Sequence, residues 1–163
     1  MKRIICCFLV FIYLFSFSSC GYKNEPAEVP INYYYRVPET EFGEQATLIV
    51  PEIREAKGHK QDYRYLIEQY LNGPQTYDCI SPFPGGTTLE ELDADTSKVY
   101  IVLSPHIGTL SGHELMLAFA CLTKTVLEMT GAHTIQISTS SGTLNGKDSI
   151  TFTADSFSYL EAE

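Results

Sequence analysis

A His-Glu pair, a Ser-Pro-His run, an acidic cluster and a glycine-rich turn are the places where this sequence could do chemistry. His113-Glu114 begins like the helix of a zinc protease, which needs a second histidine four residues beyond the first. That residue is Leu117, so the pair makes no metal site. Ser111 and Glu114 read instead as a capping box, in which hydroxyl and carboxylate satisfy the orphan amides of a helix start. His59, His106 and His133 lie scattered without ligand spacing. Ser104-Pro105-His106 offers a hydroxyl and an imidazole, but Gly-x-Ser-x-Gly is missing and the proline is expected to keep the two groups apart. Cys79 and Cys121 lack a nucleophile's setting. Glu90, Glu91, Asp93 and Asp95 could supply paired carboxylates or a weak cation site, yet four acids around a turn read as a solvated face. Pro84-Gly85-Gly86-Thr87 lacks the Gly-Lys-Ser/Thr ending of a phosphate loop, and a strand rather than a helix is expected after it. No catalytic residue, metal or cofactor is expected.

The glycine-rich turn belongs to a longer connector, Leu71 to Leu92, with three prolines and three glycines between Gly73 and Gly86. Its neighbours define the fold. Ile31 to Val37 is β-branched and aromatic between Pro30 and Pro38, a strand with Ile31, Tyr33, Tyr35 and Val37 on one face. A polar turn over Glu39 to Glu44 leads to a second strand, Ala46 to Ile53, which Pro51 marks as an edge or a bulge. Gln61 to Leu71 has helical period, and Asn72-Gly73-Pro74 stops it. Thr87 to Leu92 reads as a strand, and Lys98 to Leu103, apolar on both faces, as a central one. Ser111 to Thr130 is the longest helix, with Leu115, Phe119, Leu122, Val126 and Met129 as its core stripe and Gly131 as its left-handed cap. Strands at Thr134 to Ser138 and Ser149 to Thr153 follow. The order β-β-α-β-β-α-β-β gives an α+β class, two helices on one face of a small mixed sheet.

Composition limits the partners. The 163 residues suffice for one domain with a core, and 44% hydrophobic with 19% charged residues is a globular balance. The net charge of −9 argues against nucleic acid and against electrostatic docking on an anionic membrane. Lys2 and Arg3 precede an unbroken apolar run, Ile4 to Phe15, as in a secretory leader. Phe17-Ser18-Ser19-Cys20-Gly21 then resembles a bacterial lipobox, with Phe17 where leucine is usual. The expected organisation is a leader over 1–19, lipidated Cys20 with a tether to residue 30, and one domain over 31–163. Two acyl chains on Cys20 would hold the protein outside the cytoplasm at the membrane. An exported domain could join Cys79 to Cys121, but their apolar neighbours favour two small buried thiols.

Several segments together resemble the GerMN domain of sporulation and spore-germination lipoproteins of Gram-positive bacteria. They are Val50-Pro51-Glu52-Ile53-Arg54-Glu55, Tyr70-Leu71-Asn72-Gly73-Pro74, Ser81 to Thr87, Val99 to Ser104, and Gly131 to Ile137. Ser140-Ser141-Gly142 departs from the Asp-Gly often found after the last long strand of that family. The resemblance implies a non-enzymatic domain, similar to the ring-building modules of sporulation complexes, that assembles through protein contacts. An envelope or sporulation-complex protein is the expected partner, with a surface at Tyr34 or at Phe83 and Pro84. The rival expectation is a binder of cell-wall glycan, such as peptidoglycan, or of a small ligand, with tyrosine rings stacking on sugar.

Overall fold

A computed structural model describes residues 29–38 and 48–160. The expected leader, Cys20 with its expected tether up to residue 28, the turn expected at Glu39 to Glu44 and the expected start of the second strand at Ala46 lie outside them. Strands β1 (Pro30–Arg36) and β2 (Ile49–Glu55) precede helix α1 (Tyr63–Leu71). Strands β3 (Leu89–Ala94) and β4 (Lys98–Leu103) lead through a 3-10 turn at Pro105–Thr109 into helix α2 (Gly112–Thr130). Strands β5 (Thr134–Thr139) and β6 (Ser149–Thr153) and a 3-10 segment at Ala154–Leu160 complete the order. The α+β class and the order of strands and helices are those the sequence predicts.

The strands divide between two sheets, where the sequence suggested one. β1 and β2 pair antiparallel, and β3-β4-β5-β6 form a four-stranded sheet in which only β4 and β5 run parallel. What keeps β1 from extending the larger sheet is the cover on its outer edge. The Tyr34 N–H donates to Thr125 Oγ1 of α2 at 2.9 Å, and Arg36 exchanges backbone bonds with Ile80. An edge strand finished by side chains and a single bridge offers no row of groups to another strand.

α2 is buried far more widely than its predicted stripe. From Leu117 to Leu127 only Lys124 is not fully buried. One flank packs on the four-stranded sheet, as in the contact of Phe119 with Phe152, ring centroids 5.3 Å apart. The other flank lies along β1, and small residues such as Ala118, Ala120 and Cys121 let neighbours approach on several sides. Gly131 caps the helix at φ 72, as predicted. The predicted capping box does not form: Ser111 is the N-cap, but its hydroxyl makes no bond to the first turn. Gly112, at φ +53, puts left-handed backbone between Ser111 and the amides it would have met. On α1, Asp62 does act as a cap, accepting from the Tyr65 N–H at 3.1 Å.

Aromatic rings join the hairpin to α1. Tyr33 and Tyr35, from alternate positions of β1, lie against Tyr70 with centroids 5.8 and 5.0 Å away. Phe83 meets the same ring edge-on at 5.6 Å. The Tyr70 hydroxyl donates to the Tyr34 carbonyl at 2.7 Å, and the Tyr35 hydroxyl to the Tyr70 carbonyl at 3.0 Å.

A charged pair locks this arrangement. Glu52 is 6% exposed although it is a carboxylate on a two-stranded sheet. Its Oε2 accepts from the Gln75 and Thr76 amides, each at 2.9 Å, and from the Thr76 hydroxyl at 2.8 Å. Its Oε1 accepts from Arg54 Nε. Arg54 then donates to the Gln69 carbonyl, the Gly73 carbonyl and the Tyr35 hydroxyl, and its guanidinium stands over the Tyr33 ring at 4.7 Å. The Gly73 carbonyl is within reach because the helix ends there: Gly73 at φ +97 turns the chain back toward β2. Glu52 and Arg54 thereby tie β2 to the end of α1 and to the loop after it.

Burial alone would raise the Glu52 pKa, but bonds from the Thr76 amide, Arg54 and the Thr76 hydroxyl outweigh it and hold the carboxyl below its ordinary value. A depressed carboxylate adds stability that is fully present above its unfolded pKa, about 4.3, and is lost as pH falls through the folded value. Urea unfolding from pH 7 downward should therefore show stability falling below about pH 4.3, with a shallower fall in Glu52→Gln. Glu52→Ala, which leaves Arg54 buried without its carboxylate, should cost about 3–5 kcal/mol at pH 7. Cys79 and Cys121 are both buried free thiols, and burial pushes the Cys121 pKa up. A thiol reagent should modify these two cysteines only after denaturant is added.

Candidate functional site

The connector that opens with Asn72-Gly73-Pro74 ends in a turn, Ser81 to Gly86, that forms one wall of a groove. The Ser81 hydroxyl accepts from the Phe83 N–H at 3.2 Å, and the Thr87 hydroxyl donates to the Pro84 carbonyl at 2.8 Å, so each end of the turn is fastened to itself. Opposite lie the approach to α2 and its first turns. The groove holds about 340 Å³ between Arg36, Pro82, Phe83 and Pro84 on one side and Leu110, His113, Glu114 and Leu117 on the other. Its floor is apolar, from Phe83 and Leu117, both buried, and its rim carries the exposed His113 and Glu114. The His-Glu pair thus lines a groove, and the buried Leu117 stands where a metal ligand would have to be.

Two of the three residues expected on an interaction surface meet here. Phe83 presents one side to the groove while its ring packs on Tyr70, and Pro84 is half-buried beside it. Tyr34 lies elsewhere, half-buried on β1 beneath α2. Its hydroxyl donates to Glu128 Oε2 at 2.6 Å, and Lys124 Nζ stands 4.8 Å from its ring centre. Cys20 lies outside the described residues.

Ser104 and His106 come together, contrary to the sequence expectation. Ser104 Oγ lies 3.2 Å from His106 Nδ1. Pro105 opens a 3-10 turn and curls the chain back within two residues. Ser104 is 3% exposed, and its hydroxyl accepts the Thr88 N–H at 3.0 Å, while the Ser104 N–H donates to the Thr88 carbonyl at 2.9 Å. Ser104 therefore carries the β3–β4 ladder one residue beyond Leu89 and Leu103. The exposed His106 ring has Gly86 on its Nε2 side. The acidic cluster has a similar local use. Asp95 Oδ1 accepts from the Ser97 and Lys98 amides and the Ser97 hydroxyl, and these bonds lower its pKa. Among the described residues no group of three or more potential metal-binding side chains is found, and no helix is long and apolar enough to cross a membrane.

The pair Glu52–Arg54 is what reading the residues missed. Alternation on β2 places both on the inner face beside Val50, and a Glu and an Arg two apart on a strand were the available signal.

Comparison with known proteins gives a family for this arrangement. The family described as "Germane: Sporulation and spore germination" matches residues 32–145. The fold is similar to the tandem GerMN domains of the sporulation protein GerM from Bacillus subtilis, with a TM-score of 0.57 at 15% identity over 83% of this chain and 49% of that one. The first GerMN domain of the same protein aligns at 12% identity and a TM-score of 0.48, over 72% of this chain and 86% of that one. A Clostridium perfringens protein, provisionally named a lipoprotein, aligns at 20% identity and a TM-score of 0.49, over 77% of this chain and 87% of that one. No curated protein matches the chain. The matched span runs from β1 through both helices to the loop after β5, so the chain belongs to the Germane family of sporulation and spore germination.

Proposed function

We propose that this chain is a non-enzymatic binding and assembly module, held outside the cytoplasm by lipid on Cys20, that engages a protein of the envelope or of a sporulation or germination complex. The observation that supports it best is the groove between the Ser81–Gly86 turn and the start of α2. It has an apolar floor and a polar rim, the anatomy of a protein contact rather than of a reaction centre. The Ser–His contact fits this reading, because Ser104 Oγ is buried and holds a backbone amide. A peptidoglycan ligand is the rival. Its support was a stacking ring at Tyr34, and that ring already lies beside Lys124.

A photo-crosslinking residue at Pro84, introduced into the full chain in its native membrane, should give one discrete adduct with an envelope protein. The same residue at Thr151, exposed on β6, should not. Adducts at both positions, or at neither together with sedimentation on purified peptidoglycan, would sink the assembly reading. Cys20→Ala should release the protein from membranes into the medium, and retention would contradict the lipid anchor. Ser104→Ala leaves the Thr88 amide without its acceptor, so it should lower stability by about 1–3 kcal/mol in urea unfolding. His106→Ala, at an exposed ring, should change it by less than about 0.5 kcal/mol.

A further inference from the structure

The outer edge of β2 is a second surface, and its geometry specifies what could bind. The Tyr34 and Arg36 amides point away from β2, to Thr125 and Ile80, so the β1 residues that bond β2 are the odd-numbered ones. Register then directs the backbone groups of Val50, Glu52 and Arg54 toward β1 and those of Ile49, Pro51, Ile53 and Glu55 outward. Among the described residues no backbone hydrogen bond reaches the outward groups of Ile53 or Glu55. Pro51 has no N–H to offer, which confines pairing to the stretch from Ile53 to Glu55. Ile53 is 69% exposed there.

A cavity of about 370 Å³ adjoins this stretch. Tyr33, Arg54, Tyr65, Leu66 and Gln69 line it from the inner face of the hairpin and from α1, and Ile53, Glu55 and Lys57 from the edge. Residues of both alternations share its lining, so it wraps around the outer edge of β2. Lys57, in left-handed backbone at φ 48, is exposed at its mouth, and among the described residues it makes no ion pair.

We infer that the β2 edge takes an extended peptide segment of a partner protein, which adds a strand beside Ile53 and Glu55 and sends an acidic side chain into the cavity toward Lys57. The main chain supplies the hydrogen bonds, and the period of two sends alternate side chains to the cavity and to Ile53. An acidic side chain is specified because Arg54 is already engaged by Glu52 and by the Gln69 and Gly73 carbonyls, which leaves Lys57 as the cation that a ligand would meet. This binding mode goes beyond the membrane-anchored module proposed above and depends on neither Cys20 nor the groove at Pro84.

The probe is a fluorescent peptide of about six residues, a usual strand length, alternating valine and glutamate. It is titrated against the full chain in detergent and followed by anisotropy. Saturable binding is expected, weakened about tenfold or more by Lys57→Glu, by lysine in place of the glutamates, and by N-methylation of alternate peptide amides. Ile53→Pro should do the same, since that N–H is not part of the β1–β2 ladder, and unchanged urea unfolding would confirm that the variant folds. Absence of binding would overturn the inference, as would binding indifferent to N-methylation or to Lys57→Glu. Concentration-dependent dimerisation lost in Ile53→Pro would also overturn it, by giving the edge to a second copy. None of these outcomes bears on Cys20→Ala or on crosslinking at Pro84, so the two readings fail separately.

Discussion

A buried carboxylate and the guanidinium two residues along the same strand hold the hairpin of this protein to the rest of it. A two-stranded sheet is marginal alone. Here Glu52 gathers two amides and a hydroxyl from the loop after α1, and Arg54 gathers two carbonyls and a hydroxyl from the helix end and β1. The desolvation cost of a buried pair is recovered only when its remaining donors and acceptors are satisfied, and these nearly all are. The loop that leads to the Ser81–Gly86 turn is thus fixed where it begins. The turn itself rests on Phe83, whose ring meets the Tyr70 ring that also carries Tyr33 and Tyr35.

Much of this was legible from residue types. Period and punctuation gave the order of strands and helices, and Gly73, Pro74 and Gly131 marked helix ends where the chain does turn. The alternation in Tyr33-Tyr34-Tyr35 correctly buried two rings of three. What stayed hidden depends on contacts far apart in the chain. The division into two sheets follows from Thr125 reaching the edge of β1, and no local pattern encodes that. The breadth of burial on α2 was masked because most of its extra contacts fall on alanine, threonine and cysteine, which draw no hydrophobic stripe, and Leu117 and Leu127 lie off the stripe that was read. The Ser104–His106 contact was missed because proline was read as a spacer, whereas at the start of a 3-10 turn it curls the chain. The segments carrying the family resemblance included Glu52, Arg54, Tyr70 and Gly73, and the structure supplies the physical reason they go together: they touch.

The two surfaces described differ in kind. The groove at Pro84 is a side-chain surface on a fixed turn, suited to a shaped apolar contact. The β2 edge is a backbone surface, suited to an extended chain. Both lie on elements held by the Glu52–Arg54 pair, so neither has to be ordered when a partner arrives, which reduces the entropy cost of binding.

Amide hydrogen exchange at Gln75 and Thr76 tests the central role of Glu52 most directly. Both residues are exposed and lie outside any helix or strand, so a simple loop would exchange them as fast as Tyr77 beside them. If Glu52 fastens this loop, both amides exchange about a hundredfold slower than that of Tyr77 at neutral pH, and the difference collapses in Glu52→Ala, which removes the acceptor, while the amides of β4 and β5 stay protected. Equal rates for Gln75, Thr76 and Tyr77 in the unaltered protein would contradict the account.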